Sequence, residues 1–215
     1  MQHVINQILK EKIIIIMRGI PTDDLLPLTE ALYEGGIRLV ECTYNASDAT
    51  TDAQIAANIG MLARHFEGRM LVGAGTVLTT RQVEMTKEAG GKFIISPDTN
   101  TEIIKKTKEL GLVSIPGALT PSEVTLAHRS GADFIKLFPI SLGGSDYLKA
   151  LTAPLSHVKF LAVGGVNLSN MEQYAQAGAC GFGMGTNFIG KKLMEEKDYA
   201  GITEVAKRYV ANVPR

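Results

Sequence analysis

Cysteine is nearly absent from this chain, with Cys42 and Cys180 the only two. They form no CxxC or other metal-ligand spacing, and two buried thiols in a cytosolic protein is the expected state. The four histidines, His3, His65, His128 and His157, are scattered, with no HxH or HExxH among them. No metal site is therefore expected. Net charge is also missing, since 22 Lys and Arg balance 22 Asp and Glu. No long basic run appears, which argues against nucleic acid and anionic membrane as partners. Long hydrophobic runs are lacking too. The longest, Ile13–Met17, is a strand's length and far too short to span a bilayer. Met1-Gln2-His3-Val4 has neither the charged nor the apolar region of a signal peptide, so a cytoplasmic location is expected. No linker, low-complexity stretch or charge block divides the chain, and residues 1–215 read as one domain.

What is present is repetition. A short β-branched run, a glycine or polar turn, and an amphipathic segment recur along the chain. The runs are Ile13–Met17, Leu39–Thr43, Met70–Val72, Phe93–Ser96, Leu112–Ile115, Phe134–Phe138, Lys159–Val163 and Gly181–Met184. Their starts lie roughly twenty to thirty residues apart, the length of one βα unit. Helical patterns fill the gaps at Asp23–Tyr33, Asp48–His65, Thr80–Ala89, Thr99–Leu110, Pro121–Arg129, Tyr147–Leu151, Ser169–Ala177 and Thr203–Val210. An extra helix from Gln2 to Lys10 would close one end. Alternating strands and helices call for a parallel sheet, and eight units call for closure into a (β/α)8 TIM barrel. The rival, an open doubly wound sheet, would carry GxGxxG after its first strand; Met17-Arg18-Gly19-Ile20 stands there instead.

In such a barrel the active site lies at the C-terminal strand ends. The sixth run places Phe134, Lys136 and Phe138 on one face. If that face points inward, burial lowers the lysine pKa, and a neutral amine can attack a carbonyl. Otherwise Lys136 leaves the sheet to pair with a carboxylate. Lys159, at the start of the seventh run, reads as a structural residue of the opposite face. Glu41 interrupts the second run near its end. It is either a proton-transfer carboxylate with a raised pKa or the partner of Arg18 or Lys136 in a salt bridge, and these readings are compatible. Arg18, ending the first run, can hold a carboxylate through paired hydrogen bonds or form a structural pair with Glu41. Gly73-Ala74-Gly75-Thr76 offers close backbone approach and a hydroxyl, while Ser96-Pro97-Asp98 reads equally as simple punctuation. Gly164-Gly165 and Gly185-Thr186 follow the seventh and eighth runs, where phosphate sites recur in these barrels.

In order, the motifs are Met17-Arg18-Gly19, Gly35-Gly36-Ile37-Arg38-Leu39-Val40-Glu41, Gly73-Ala74-Gly75-Thr76-Val77, Ile95-Ser96-Pro97, Ile115-Pro116-Gly117, Ile135-Lys136-Leu137-Phe138-Pro139 and Val163-Gly164-Gly165-Val166. This ordered set resembles the KDPG/KHG aldolase family over nearly the whole chain. The resemblance implies a homotrimeric class I aldolase, without metal or cofactor. Its partners would be a phosphorylated keto acid and pyruvate. It makes Lys136 the Schiff-base residue and Glu41 the proton acceptor. Arg18 and Thr76 would hold the pyruvate carboxylate, Phe138 and Pro97 would line the pocket, and Gly164, Gly165, Gly185 and Thr186 would bind phosphate. Where gluconate-type members have an arginine four residues after the glutamate, this chain has Asn45. With Phe160–Val166 and Gly183–Thr186, that asparagine is similar to the galactonate-type branch. Two other functions remain open: a phosphosugar isomerase or epimerase on the same barrel, with Glu41 as base, and a non-catalytic barrel that senses a phosphorylated metabolite.

Overall fold

A computed structural model describes residues 1–214. The strands are β1 (Ile13–Met17), β2 (Leu39–Thr43), β3 (Leu71–Gly75), β4 (Phe93–Ile95), β5 (Val113–Ile115), β6 (Gly117–Ala118), β7 (Ile135–Leu137), β8 (Phe160–Val163) and β9 (Ala179–Gly185). All pair in parallel, in the order β5-β4-β3-β2-β1-β9-β8-β7-β6. The two ends of that order, β5 and β6, are separated in sequence only by Pro116. Proline cannot donate to a ladder, so one barrel strand is interrupted there. Its two halves pair with opposite neighbours, and the ring of eight strands closes as expected.

The helices are α1 (Gln2–Glu11), α2 (Thr22–Glu34), α3 (Asp52–His65), α4 (Thr80–Glu88), α5 (Thr101–Glu109), α6 (Pro121–Arg129), α7 (Gly144–Thr152), α8 (Met171–Gln176), α9 (Lys191–Glu195) and α10 (Tyr199–Ala211). Local chemistry sets several starts. Thr79 with Gln82, and Thr120 with Glu123, form capping boxes, and Pro121 occupies the first turn of α6. The pattern expected over Asp48–His65 divides in two. Asp48 accepts the Thr50 N–H and starts a 3-10 turn, Ala49–Thr51, ahead of α3. The short helix α9 lacks the apolar periodicity that reveals the others and was not expected.

Two apolar clusters divide the core. The larger lies between the strands and the surrounding helices. The smaller fills the barrel with Ile14, Leu39, Phe93, Ile95, Val113, Ile115, Phe134, Leu161 and Val163, and Val4 and Ile8 of α1 belong to it. Helix α1 thus plugs the end where the strands begin, as expected. With both faces of each strand buried, the sequence shows apolar runs instead of alternation. Glycines on β3 and β9 supply interior space. A Cβ at Gly73 would overlap the Phe93 ring, and one at Gly183 would crowd Val163. One expectation needs correction. Cys42 is buried, but Cys180 is only half-buried at the start of β9, where its Sγ lies 3.2 Å from the Phe160 carbonyl oxygen.

Candidate active site

Strand register brings the two interior ionisable side chains together. Glu41 on β2 is paired with Ile16 and Gly73, and Lys136 on β7 is paired with Gly117 and Leu161. Both are buried, at 1% and 6% exposure. They line one interior void of about 10 Å³, whose other walls are Ile14, Ile16, Ile95, Ile115, Leu161, Val163 and Gly183. That is roughly the space of one water sphere. A Cβ at Gly75 would overlap the Glu41 carboxylate, so glycine there makes room for it. Glu41 Oε2 is buried without a hydrogen-bond partner. Among the described residues, neither Lys136 nor Arg18 forms a direct ion pair with it. The salt-bridge alternative for Glu41 is therefore not the arrangement adopted.

Electrostatics follow from that placement. Burial raises Glu41 from its ordinary 4.5 to about 7, against the opposing pull of the Lys136 and Arg18 charges. Burial lowers Lys136 below the usual lysine range. The Glu41 charge opposes this, and the Arg18 charge adds to it. Lys136 Nζ stands 4.6 Å from the centre of the Phe138 ring.

Above the pair opens a cleft of about 880 Å³ at the C-terminal strand ends. Lys136, Arg18, Thr76, Pro97, Phe138, Gly164, Gly165, Gly185 and Thr186 all line it. Exposed Arg18 donates from Nη2 to Thr76 Oγ1 at 2.9 Å. Thr76 has φ 54°, an unusual conformation for a β-branched residue that fixes where its hydroxyl stands. Pro97 is seated against β6, where a Cβ at Gly117 would overlap its carbonyl. Gly164 and Gly165 have φ of 96° and 89°, which glycine adopts freely. Asn45 is brought elsewhere: it is exposed beyond β2, does not line the cleft, and accepts the Ser47 N–H at 3.0 Å. Lys159 is exposed at the opposite end, its Nζ 6.0 Å from the Phe134 ring centre.

Sequence reasoning missed a brace behind the β8 loop. Asn170 Nδ2 donates to the Gly165 carbonyl at 2.9 Å, and its Oδ1 accepts the Asn167 N–H at 2.8 Å. Asn167 Nδ2 also reaches the Gly165 carbonyl, at 3.3 Å. The signal available was two asparagines just after a glycine pair, which reads as an ordinary turn.

The model of the family KDPG and KHG aldolase matches residues 4–205. This chain belongs to that family. It is 34% identical over 179 residues to the 2-dehydro-3-deoxy-6-phosphogalactonate aldolase of Escherichia coli, covering 83% of this chain and 84% of that one. It is 30% identical over 213 residues to the 2-dehydro-3-deoxy-phosphogluconate aldolase of Haemophilus influenzae, covering 97% and 96%. Among solved structures, the KDPG aldolase of Legionella pneumophila, with pyruvate captured as a covalent carbinolamine, superposes with a TM-score of 0.81 at 29% identity, covering 92% and 93%.

The Glu41 environment generates a stability prediction. Between pH 4.5 and about 7 the folded state holds a proton that the unfolded state has released, so stability falls as pH rises through that window. Glu41→Gln removes the effect. The variant should match the parent near pH 4 and exceed it by about 3 kcal/mol at pH 8 in urea titrations. Equal or lower stability at pH 8 would show that Glu41 is not held against burial.

Proposed function

We propose that this family member is a class I aldolase that cleaves a 2-keto-3-deoxy-6-phospho sugar acid, of phosphogluconate or phosphogalactonate type, to pyruvate and glyceraldehyde 3-phosphate. 4-Hydroxy-2-oxoglutarate is a further substrate in this reading. The observation that carries it is the buried Lys136 amine beside Glu41, opening onto one cleft with Arg18 and Thr76. Neutral Lys136 attacks the C2 carbonyl carbon, the carbonyl oxygen takes one proton from the amine and one from the Glu41 carboxyl and leaves as water, and a protonated imine remains beside the Glu41 carboxylate. Glu41, through a water, takes the C4 hydroxyl proton. The C3–C4 electron pair moves into the iminium, which frees the aldehyde and leaves an enamine. Protonation at C3 and hydrolysis release pyruvate and restore the amine. Arg18 and Thr76 hold the substrate carboxylate by charge-assisted hydrogen bonding. Phe138 and Pro97 wall the keto-acid end, and Gly164, Gly165, Gly185 and Thr186 present backbone N–H groups and a hydroxyl to the phosphate.

The reading includes a single barrel domain, a cytoplasmic location and a homotrimer whose size sedimentation velocity decides. No helix among the described residues is long and apolar enough to cross a membrane.

Borohydride reduction in the presence of pyruvate should leave a stable adduct on Lys136, located by peptide mass analysis. Lys136→Ala should lose the adduct and at least 1,000-fold in kcat, on the order expected when a covalent nucleophile is removed. An isomerase or a metabolite sensor would form no pyruvate adduct, and full activity in Lys136→Ala would end the Schiff-base mechanism. Position 45 generates a second expectation. Wild type should show the higher kcat/KM on the galactonate-type substrate, and Asn45→Arg should move the ratio toward the gluconate type. An unchanged ratio would remove Asn45 from specificity.

A further inference from the structure

The opposite end of the barrel carries a concavity of about 680 Å³, framed by α1, the end of α3 and the starts of β2, β3 and β4. We infer that it is a second anion site, for a small ligand bearing a diphosphate group. Lys10, Arg38, Arg64, Arg69 and Lys92 line it against only two carboxylates, Glu11 and Glu67. In a chain of zero net charge this is a local excess of positive charge. Lys10 is paired with Glu11 at 3.3 Å. Among the described residues, Arg38, Arg64, Arg69 and Lys92 have no carboxylate within ion-pairing distance.

Two of the guanidiniums are held in place before any ligand arrives. Arg38 lies 4.2 Å from the centre of the Tyr33 ring and donates from Nη1 to the Tyr33 and Ile37 carbonyls, both at 2.8 Å. Arg69 lies 5.2 Å from the same ring and 4.9 Å from that of Phe66, and donates from Nη2 to the His65 carbonyl at 2.6 Å. Ring stacking and carbonyl contacts consume part of each fork and orient the rest. Side-chain entropy lost on binding is correspondingly small. Planar forks favour an oxyanion with several acceptor oxygens, and multiple unpaired cations favour one of multiple charge. A diphosphate meets both conditions. The site is separate from the phosphate loops, because Arg38 precedes β2 and Arg69 lies just ahead of β3, whereas Gly164 and Gly185 lie at the other strand ends.

The test is calorimetric titration of the whole protein with inorganic pyrophosphate at low ionic strength, where charge-based affinity is least screened. Wild type should show two classes of site. Arg38→Gln with Arg69→Gln should weaken one class at least tenfold and leave the KM for phosphorylated substrate unchanged. Arg64→Gln with Lys92→Gln changes exposed side chains only and should weaken the same class, which keeps the proposal testable if the first pair fails to fold. No binding of pyrophosphate, or binding that neither pair of substitutions weakens, would overturn the inference.

Discussion

Two ionisable groups buried inside an apolar barrel are the constraint from which the rest of the site follows. Burying a charge is costly unless it is paired and hydrogen-bonded, and here neither compensation is complete. Glu41 and Lys136 sit in one small void walled by isoleucine, leucine and valine, and Glu41 Oε2 has no partner. The surroundings preserve this arrangement by shape. Gly75 leaves room for the carboxylate, Gly73 for the Phe93 ring beneath it, and α1 plugs the end from which water would otherwise enter. The same burial moves both groups toward neutrality. A carboxyl near 7 beside a lysine of lowered pKa is an acid–base pair that works at physiological pH.

Stability and chemistry are therefore opposed at β2 and β7. A barrel interior filled entirely with hydrocarbon would be more stable and inert. The division of labour between the two ends fits that view. The barrel interior behind α1 is hydrocarbon, and the open end presents glycine loops, Thr76 and Arg18 to the cleft. The brace from Asn167 and Asn170 extends the logic one layer outward, because a loop with two glycines at positive φ has little stiffness of its own.

Most of the architecture was legible because parallel barrel strands, buried on both faces, leave unbroken β-branched runs such as Ile13–Met17. A period of two was enough to align Phe134 with Lys136 on the inward face, and both are buried. Legibility failed where geometry depends on residues distant in sequence. Nothing local shows that Pro116 divides a strand whose halves pair with opposite neighbours. Asn45 was singled out by the family resemblance alone, yet its side chain folds back onto Ser47 and does not line the cleft. Thr76 was legible as a hydroxyl at a strand end, but its positive φ and its bond to Arg18 were not. Cys180 shared the composition-based expectation of burial with Cys42 and is only half-covered.

The central claim is that burial, opposed by Glu41, sets the protonation of Lys136. The most direct measurement is a carbon-13 NMR titration of the Lys136 ε-carbon in the parent protein and in Glu41→Gln. Titration below the ordinary lysine range is expected in the parent, with a further drop in the variant, where the supporting negative charge is gone. An ordinary lysine pKa, or one indifferent to Glu41→Gln, would contradict it.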